Sequence, residues 1–405
     1  MFDGVRALAA SLVFVFHAWA IINISSLQNG IDTIGLTGLA VLGASLGHFG
    51  EVGVALFYLL SGFLIYRPFA KAGYAAGKQP NLTAFAIRRA ARILPAYWVA
   101  VTIIGFVDPA SYAFSWDGLI NQYLFLGIYR PEGIIWSSNM FMASWTVEVE
   151  VAFYIFLPFW AAAMAKLRAS TKRPLRAEMF ALLFLASIGV VWKIVACTQI
   201  SGGWFGSSFA VLPASIDVFA AGMALAVLSL LPEVKASKFF ERVAAQGLAC
   251  WLGAAAVFAL LVWVGYSEGP FRGSGASLAL GSGLLKIPVV VLILLPAIWW
   301  RGSRGGVVKL LGSRPVMWVG LVSYGLYLWQ VFVIRHLAGP VLYGAEQPLA
   351  KPSLLMLTPI SLVVYAATLV VAALSWYLLE RHALSFGRKL AKRVEARRAD
   401  VLSVP

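Results

Sequence analysis

The 405-residue sequence predicts an all-α protein, a polytopic transmembrane helix bundle of about ten transmembrane helices with the N- and C-termini cytoplasmic. Three observations predict it. The chain is 61% apolar and only 12% charged, with a mean hydropathy of +0.84, whereas about a quarter of an ordinary soluble domain is charged. Its long runs are apolar on every face, which leaves no side to meet water. Lys and Arg, finally, gather in alternate connecting segments, as cytoplasmic loops require.

Crossing the hydrocarbon core takes about 20 mostly apolar residues. Ten runs of that kind lie near 7–27, 50–66, 91–107, 141–165, 179–198, 208–231, 244–265, 281–300, 316–337 and 355–379. A semi-apolar piece around Leu119 to Tyr129 reads as a re-entrant or interfacial helix and not as a span. With the N-terminus inside, cytoplasmic segments hold 26 of the 32 basic residues. The formal net charge of +15 is then mostly a topology signal. Nucleic acid is not an expected partner, because it would need one basic exposed face.

The first run follows Asp3 and Arg6 and has no small-residue cleavage site, so the first helix is expected to stay. The expected location is the plasma or inner membrane, crossed several times. Pro and Gly clusters fall at the ends of the runs, and no linker is long enough to separate a pair of folded units. One membrane domain is therefore expected over 1–405, ending in a charged cytoplasmic tail, 380–405, with helical spacing. Such a tail suits the cytoplasmic surface, where its Lys and Arg meet anionic lipid. Cys197 and Cys250 lie in or beside apolar runs with no metal or redox spacing, so packing is their expected role and no metal is expected.

A charge near the bilayer centre costs about 2.5–3.5 kcal/mol on insertion scales, so an ionisable group inside a span is a functional candidate. His17, Glu148, Glu150, Lys193, Asp217 and Arg335 are such groups, with Arg6 near the inner edge. The step from Arg6 to His17 advances a helix by about 16 Å through about three turns, which leaves both side chains on nearly one face. A cation then sits at the cytoplasmic mouth and an imidazole at mid-depth. Asp3, three residues before Arg6, can hold the guanidinium by a local pair. An interhelical bond from His17 and topology signalling by Arg6 are the plainer explanations of the same residues.

The third run opens with AIRRAARILPAYW, residues 86–98, where Arg89 and Arg92 share a face and Arg88 stands beside them. Guanidinium forks grip phosphates bidentately in a way lysines cannot, although positive-inside anchoring also explains them. In ASWTVEVEVAFYIFLP, residues 143–158, two carboxylates enter the outer half of the fourth run. Glu148 and Glu150 point about 200° apart, so only one can face a given cavity. Glu150 shares its face with Thr146 and Tyr154, and a carboxylate beside an imidazole raises its basicity for general-base work. Packing explains GVALFYLLSGFLIYRPF, residues 53–69, and WVGLVSYGLYLWQ, residues 318–330.

Taken in order, these segments resemble the acyltransferase-3 family of membrane-embedded enzymes that O-acylate glycans, lipids and secondary metabolites. FDGVRALAASLVFVFHAWA resembles the family's opening and GVALFYLLSGFLI its second-helix signature. Arg89-Ala-Ala-Arg92 looks like its arginine pair, SWTVEVEVAFY like its carboxylate helix, and WVGLVSYGLYLW like its late aromatic segment. The resemblance implies that His17 is the catalytic histidine with Glu150 as its carboxylate. It further implies that Arg6 is the partner of His17 and that Arg89 and Arg92 are the cytoplasmic arginine pair; the donor's phosphates are then expected on Arg89 and Arg92, helped by Arg6 and Arg88. Three departures stand out: Gln330 where many members have His, Thr146-Val147 in place of Ser-Leu, and His382 in place of Pro.

The resemblance implies acyl-CoA, with acetyl-CoA foremost, as donor substrate, and a hydroxyl-bearing glycan, lipid or metabolite as acceptor. Some members carry an appended extracytoplasmic esterase-like domain; none is expected here, so the acyl group is expected to pass directly to the acceptor or to a partner protein. Glu150 is expected to orient His17. The competing reading is a transporter or flippase of a lipid-linked sugar or small solute, with the buried charges as its coupling site. The lack of an obvious internal repeat weighs against it.

Overall fold

The computed structural model describes residues 1–28, 37–75, 77–107, 116–129, 144–200, 208–235, 237–267, 281–299, 305–343 and 354–402. Most of the connecting segments 108–140 and 266–280, read above as outer loops, lie outside the described residues. Among the described residues every regular element is helical.

Among the described residues seven helices are long and apolar enough to cross a membrane: Phe2–Trp19, His48–Tyr74, Leu82–Val107, Ser144–Ser170, Pro174–Gln199, Gly247–Val264 and Pro359–Arg397. A pair bent by 71°, Arg314–Leu321 with Ser323–Ala338, makes an eighth if it is one span. Two shorter apolar helices, Leu212–Leu228 and Gly283–Ile298, occupy the expected runs 208–231 and 281–300. A helix appears at all ten expected positions, but length and composition qualify seven or eight as spans. The reason is length: the 17 residues of Leu212–Leu228 rise about 25 Å, short of a core about 30 Å thick.

The helices are numbered here in chain order. Phe2–Gln28 is α1, Thr37–Tyr74 is α2 and Leu82–Val107 is α3. Trp116–Tyr123 is α4, Ser144–Ser170 is α5, Pro174–Gln199 is α6 and Leu212–Leu228 is α7. After the short α8 (Pro232–Lys235) and α9 (Lys238–Ala245) come α10 (Gly247–Ser267) and α11 (Lys286–Ile298). The chain ends with α12 (Gly306–Leu311), α13 (Arg314–Leu321), α14 (Ser323–Tyr343), α15 (Leu354–Ser375) and α16 (Arg381–Leu402). Pro174, Pro213 and Pro315 sit in the first turns of α6, α7 and α13, where a missing N–H leaves nothing unpaired.

Large apolar side chains point outward along the bundle. Phe106, Ile155, Phe159, Phe180 and Phe184 are each more than 60% exposed, a surface that water would not tolerate at this extent. The interior is aromatic and close-packed: the ring of Phe219 stacks on Tyr58 at 4.7 Å and on Phe153 at 4.0 Å. Lys193 and Asp217, left without a role by the sequence, form a buried ion pair at 2.5 Å between α6 and α7. Glu178 is wholly buried and accepts from Arg168, Tyr66 and Tyr74.

The Leu119–Tyr129 piece forms α4 and a 3-10 turn, Gly127–Tyr129. Its Ile128 backbone N–H donates to Glu148 Oε2 at 3.0 Å, which places Glu148 in support of this turn. The tail is helical: α16 continues from α15 through a π-helical turn, Trp376–Glu380, and packs on α3. A glycine at 387 permits this, facing Ala91.

Candidate functional site

α1 and α14 run side by side with their starts level. Gly320, just before α14, faces the backbone of Asp3, and at the far end Gln330 stands beside His17. Between them, with α2, α3 and α5, these helices enclose a cavity of about 80 Å³, room for several waters.

Its charged lining is Arg6 from α1, Arg89 and Arg92 from α3, and Glu150 from α5. Hydroxyl groups complete it: Tyr58 and Ser61 from α2, Thr146 and Tyr154 from α5, and Ser323, Tyr324 and Tyr327 from α14. Arg6 is paired with Asp3 at 2.8 Å, as the three-residue spacing allows. Arg89 lies 5.8 Å over the Phe85 ring and 5.7 Å over the Tyr154 ring. Among the described residues neither Arg89 nor Arg92 has a hydrogen-bond or salt-bridge partner. The lining thus holds three guanidinium groups and one carboxylate beside several O–H donors, with Asp3 outside it paired to Arg6. That set suits an anion with several oxygens.

Glu150 accepts from Ser61 Oγ at 2.8 Å and from Tyr154 OH at 2.5 Å. The sequence assigned it to the outer half of its span, away from the arginines. The structure brings it onto the arginine cavity, because Tyr154, one turn on, lies under Arg89 and holds the carboxylate from the same side. The bond to His17 expected from the sequence is not among its hydrogen bonds.

His17 is 5% exposed, turned into the bundle, with its ring 5.0 Å from that of Phe16. It does not line the cavity. Tyr327, on the cavity wall, bonds Thr146 Oγ1 at 2.5 Å, and its carbonyl accepts from Gln330 Nε2 at 3.2 Å. Gln330 is the side chain beside the imidazole, and the Val13 backbone lies one turn before it. The histidine therefore sits about one helical turn beyond the wall. Arg88 goes elsewhere: it pairs with Glu395 at 2.8 Å, outside the cavity.

The structure thus joins Arg6, Arg89, Arg92 and Glu150, sets His17 behind them, and removes Arg88. It adds Ser61, Tyr154, Tyr324 and Tyr327, which the sequence read as packing or as a shared face. Their signal was a hydroxyl in an otherwise apolar run, which packing also explains. Among the described residues no group of three or more His, Cys, Asp or Glu is placed to hold a metal.

A family model described as an acyltransferase domain matches residues 2–378. The chain is 29% identical to "Acyltransferase MdmB" of Streptomyces mycarofaciens over 163 residues, 39% of this chain and 38% of that protein. It is 24% identical to "Peptidoglycan O-acetyltransferase OatA" of Listeria monocytogenes over 405 aligned residues, 93% of this chain and 54% of that protein. With "Putative peptidoglycan O-acetyltransferase YrhL" of Bacillus subtilis it shares 25% identity over 75% of this chain and 48% of that protein. The chain spans about half or less of the length of the curated relatives it matches. No solved structure matches it. A domain match that takes in α1 through the last apolar helix, and every residue of the cavity, places the chain in the acyltransferase-3 family.

Proposed function

We propose that this protein is a membrane-bound O-acyltransferase that takes an acyl group, foremost acetyl, from cytoplasmic acyl-CoA and passes it to a hydroxyl of an extracytoplasmic or membrane-associated glycan. One observation carries the reading: Arg89 and Arg92, with no hydrogen-bond or salt-bridge partner among the described residues, share a cavity with Arg6 one turn short of a buried histidine. The names of two relatives, peptidoglycan O-acetyltransferases, support the acetyl group and favour a glycan over a lipid or metabolite.

In this reading the donor's phosphates rest on Arg6, Arg89 and Arg92 at the cytoplasmic end. The pantetheine arm runs along the Ser323–Tyr327 face of α14 and displaces the Tyr327–Thr146 bond, so that the thioester reaches Gln330 and His17. His17 takes the proton of the acceptor hydroxyl, whose oxygen attacks the thioester carbonyl. The C–S bond breaks, an ester C–O bond remains, and the imidazolium returns its proton to the departing thiolate. Glu150 balances the guanidinium groups when no donor is bound and turns toward the developing imidazolium when one is.

The test uses the full chain purified in detergent or nanodiscs. Acetyl-CoA should be consumed with release of free CoA when a glycan acceptor is supplied, and CoA alone should bind. A chain that binds CoA but never releases it from acetyl-CoA with any hydroxyl acceptor would be no acyltransferase. A chain that binds no CoA would remove the donor assignment itself.

A further inference from the structure

The acyltransferase match ends at residue 378, whereas α16 runs on to Leu402. Beyond that limit the chain meets α3, the helix that carries the arginine pair, in three places. Gly387 lies against Ala91 so closely that a Cβ on the glycine would sit 2.4 Å from the Ala91 Cβ. Glu395 pairs with Arg88 at 2.8 Å. At the head of α16, Glu380 is 4% exposed, held by Ser375 Oγ at 2.8 Å, and its carboxylate lies within electrostatic range of Arg92.

These contacts bracket one turn of α3. Ala91 falls between Arg89 and Arg92, and Arg88 begins the same turn. Among the described residues no side chain holds either guanidinium by a hydrogen bond, so the aim of Arg89 and Arg92 into the cavity depends on the backbone they grow from and, for Arg89, on the rings of Phe85 and Tyr154. The face of α16 that does the holding is built for close approach: Gly387 and Ala391 are buried on it, one turn apart, while Arg388, Lys389, Lys392 and Arg393 are exposed. Only a residue without a side chain lets two helix backbones come this near.

We propose that α16 is a positioning clamp for the phosphate end of the donor site, fixing through Gly387 on Ala91 and Glu395 on Arg88 the turn that presents Arg89 and Arg92. This rests on the donor reading above. The clamp touches no donor; it acts through α3. Its loss is felt by a donor that carries phosphates and not by one that lacks them.

The experiment compares acetyl-CoA with acetyl-pantetheine, which has the same thioester and no phosphate, on the full chain in nanodiscs. Wild type should favour acetyl-CoA strongly in kcat/KM. Gly387→Ala drives a methyl into Ala91 and should raise KM for acetyl-CoA roughly tenfold, with acetyl-pantetheine changed by less than about twofold. Adding Ala91→Gly removes the opposing methyl and should restore the wild-type KM. Glu395→Ala, a surface change that leaves the bundle intact, should move KM the same way by a smaller factor. Equal loss with both donors, or no change in either variant, overturns the clamp while leaving the donor reading standing. A wild-type chain indifferent to the phosphates overturns the donor reading, and the clamp's function with it.

Discussion

Ser61, midway along α2, donates a hydrogen bond to Glu150 of α5 at 2.8 Å, and so ties the serine of the second-helix signature to the one carboxylate in a cavity of three arginines. The carboxylate competes with any anion that the arginines are to bind. Glu150→Gln should therefore tighten binding of CoA, by about threefold to tenfold at low salt, roughly 1 kcal/mol. Titration calorimetry at two salt concentrations measures it. Unchanged or weaker binding means that Glu150 does not face the donor's charge.

Arg89 and Arg92 allow a test that separates geometry from charge. Lysine keeps the charge but loses the planar fork. Each of Arg89→Lys and Arg92→Lys should weaken CoA binding about tenfold, or 1.4 kcal/mol, while Arg88→Lys, which leaves the Glu395 partner its cation, should leave affinity near wild type. Equal affinities for all three would make the site a diffuse positive surface.

His17 stands behind Gln330 and Tyr327, apart from the arginines of the cavity, so binding and turnover should diverge there. His17→Ala should lower kcat by roughly 10²–10⁴-fold, the usual worth of a general base, with CoA affinity unchanged. Gln330→Ala should lower kcat less, through loss of the group that steadies the ring. Full turnover in His17→Ala ends its assignment as the base.

The helical runs were legible because lipid removes the need for a polar face, and a run apolar on all sides is visible without any alignment. Their ends were not. α2 begins at Thr37, well before the expected 50, because the Gly- and His-containing stretch ahead of it dilutes hydropathy without breaking the helix. Arg6, Arg89, Arg92 and Glu150 were legible as charges inside spans, since each needs a reason to be there. Tyr324 and Tyr327 were not, because an aromatic side chain in an apolar helix reads as packing until the neighbour across the gap is known. The role of Arg88 was hidden for a related reason: its partner Glu395 lies 307 positions away. Which of two glutamates faced a cavity was also unreadable from a 200° angle alone; the 3-10 turn under Glu148 decides it.

Ser61 is followed by Gly62, which the sequence read as a packing residue, and its surroundings agree. A Cβ at Gly62 would lie 2.3 Å from the Phe219 carbonyl oxygen, and one at Gly222 would lie 2.2 Å from that of Leu59. The two glycines thus let α2 and α7 touch backbone to backbone, as small residues do between membrane helices. That contact seats Phe219 against Tyr58, a cavity residue, so it supports the site as well as the bundle. Gly222→Ala must push the helices apart and should cost about 1–3 kcal/mol, as overpacking does, read as a lower unfolding temperature in detergent. Gly62→Ala should do the same, and the double variant should cost less than the sum, because the first methyl has already separated the pair. Gly306→Ala, where nothing lies within 4 Å, is the control and should leave the temperature unchanged or slightly raised. If Gly222→Ala matches that control, the backbones do not meet as described, and the seat of Tyr58 on the cavity wall must have another cause.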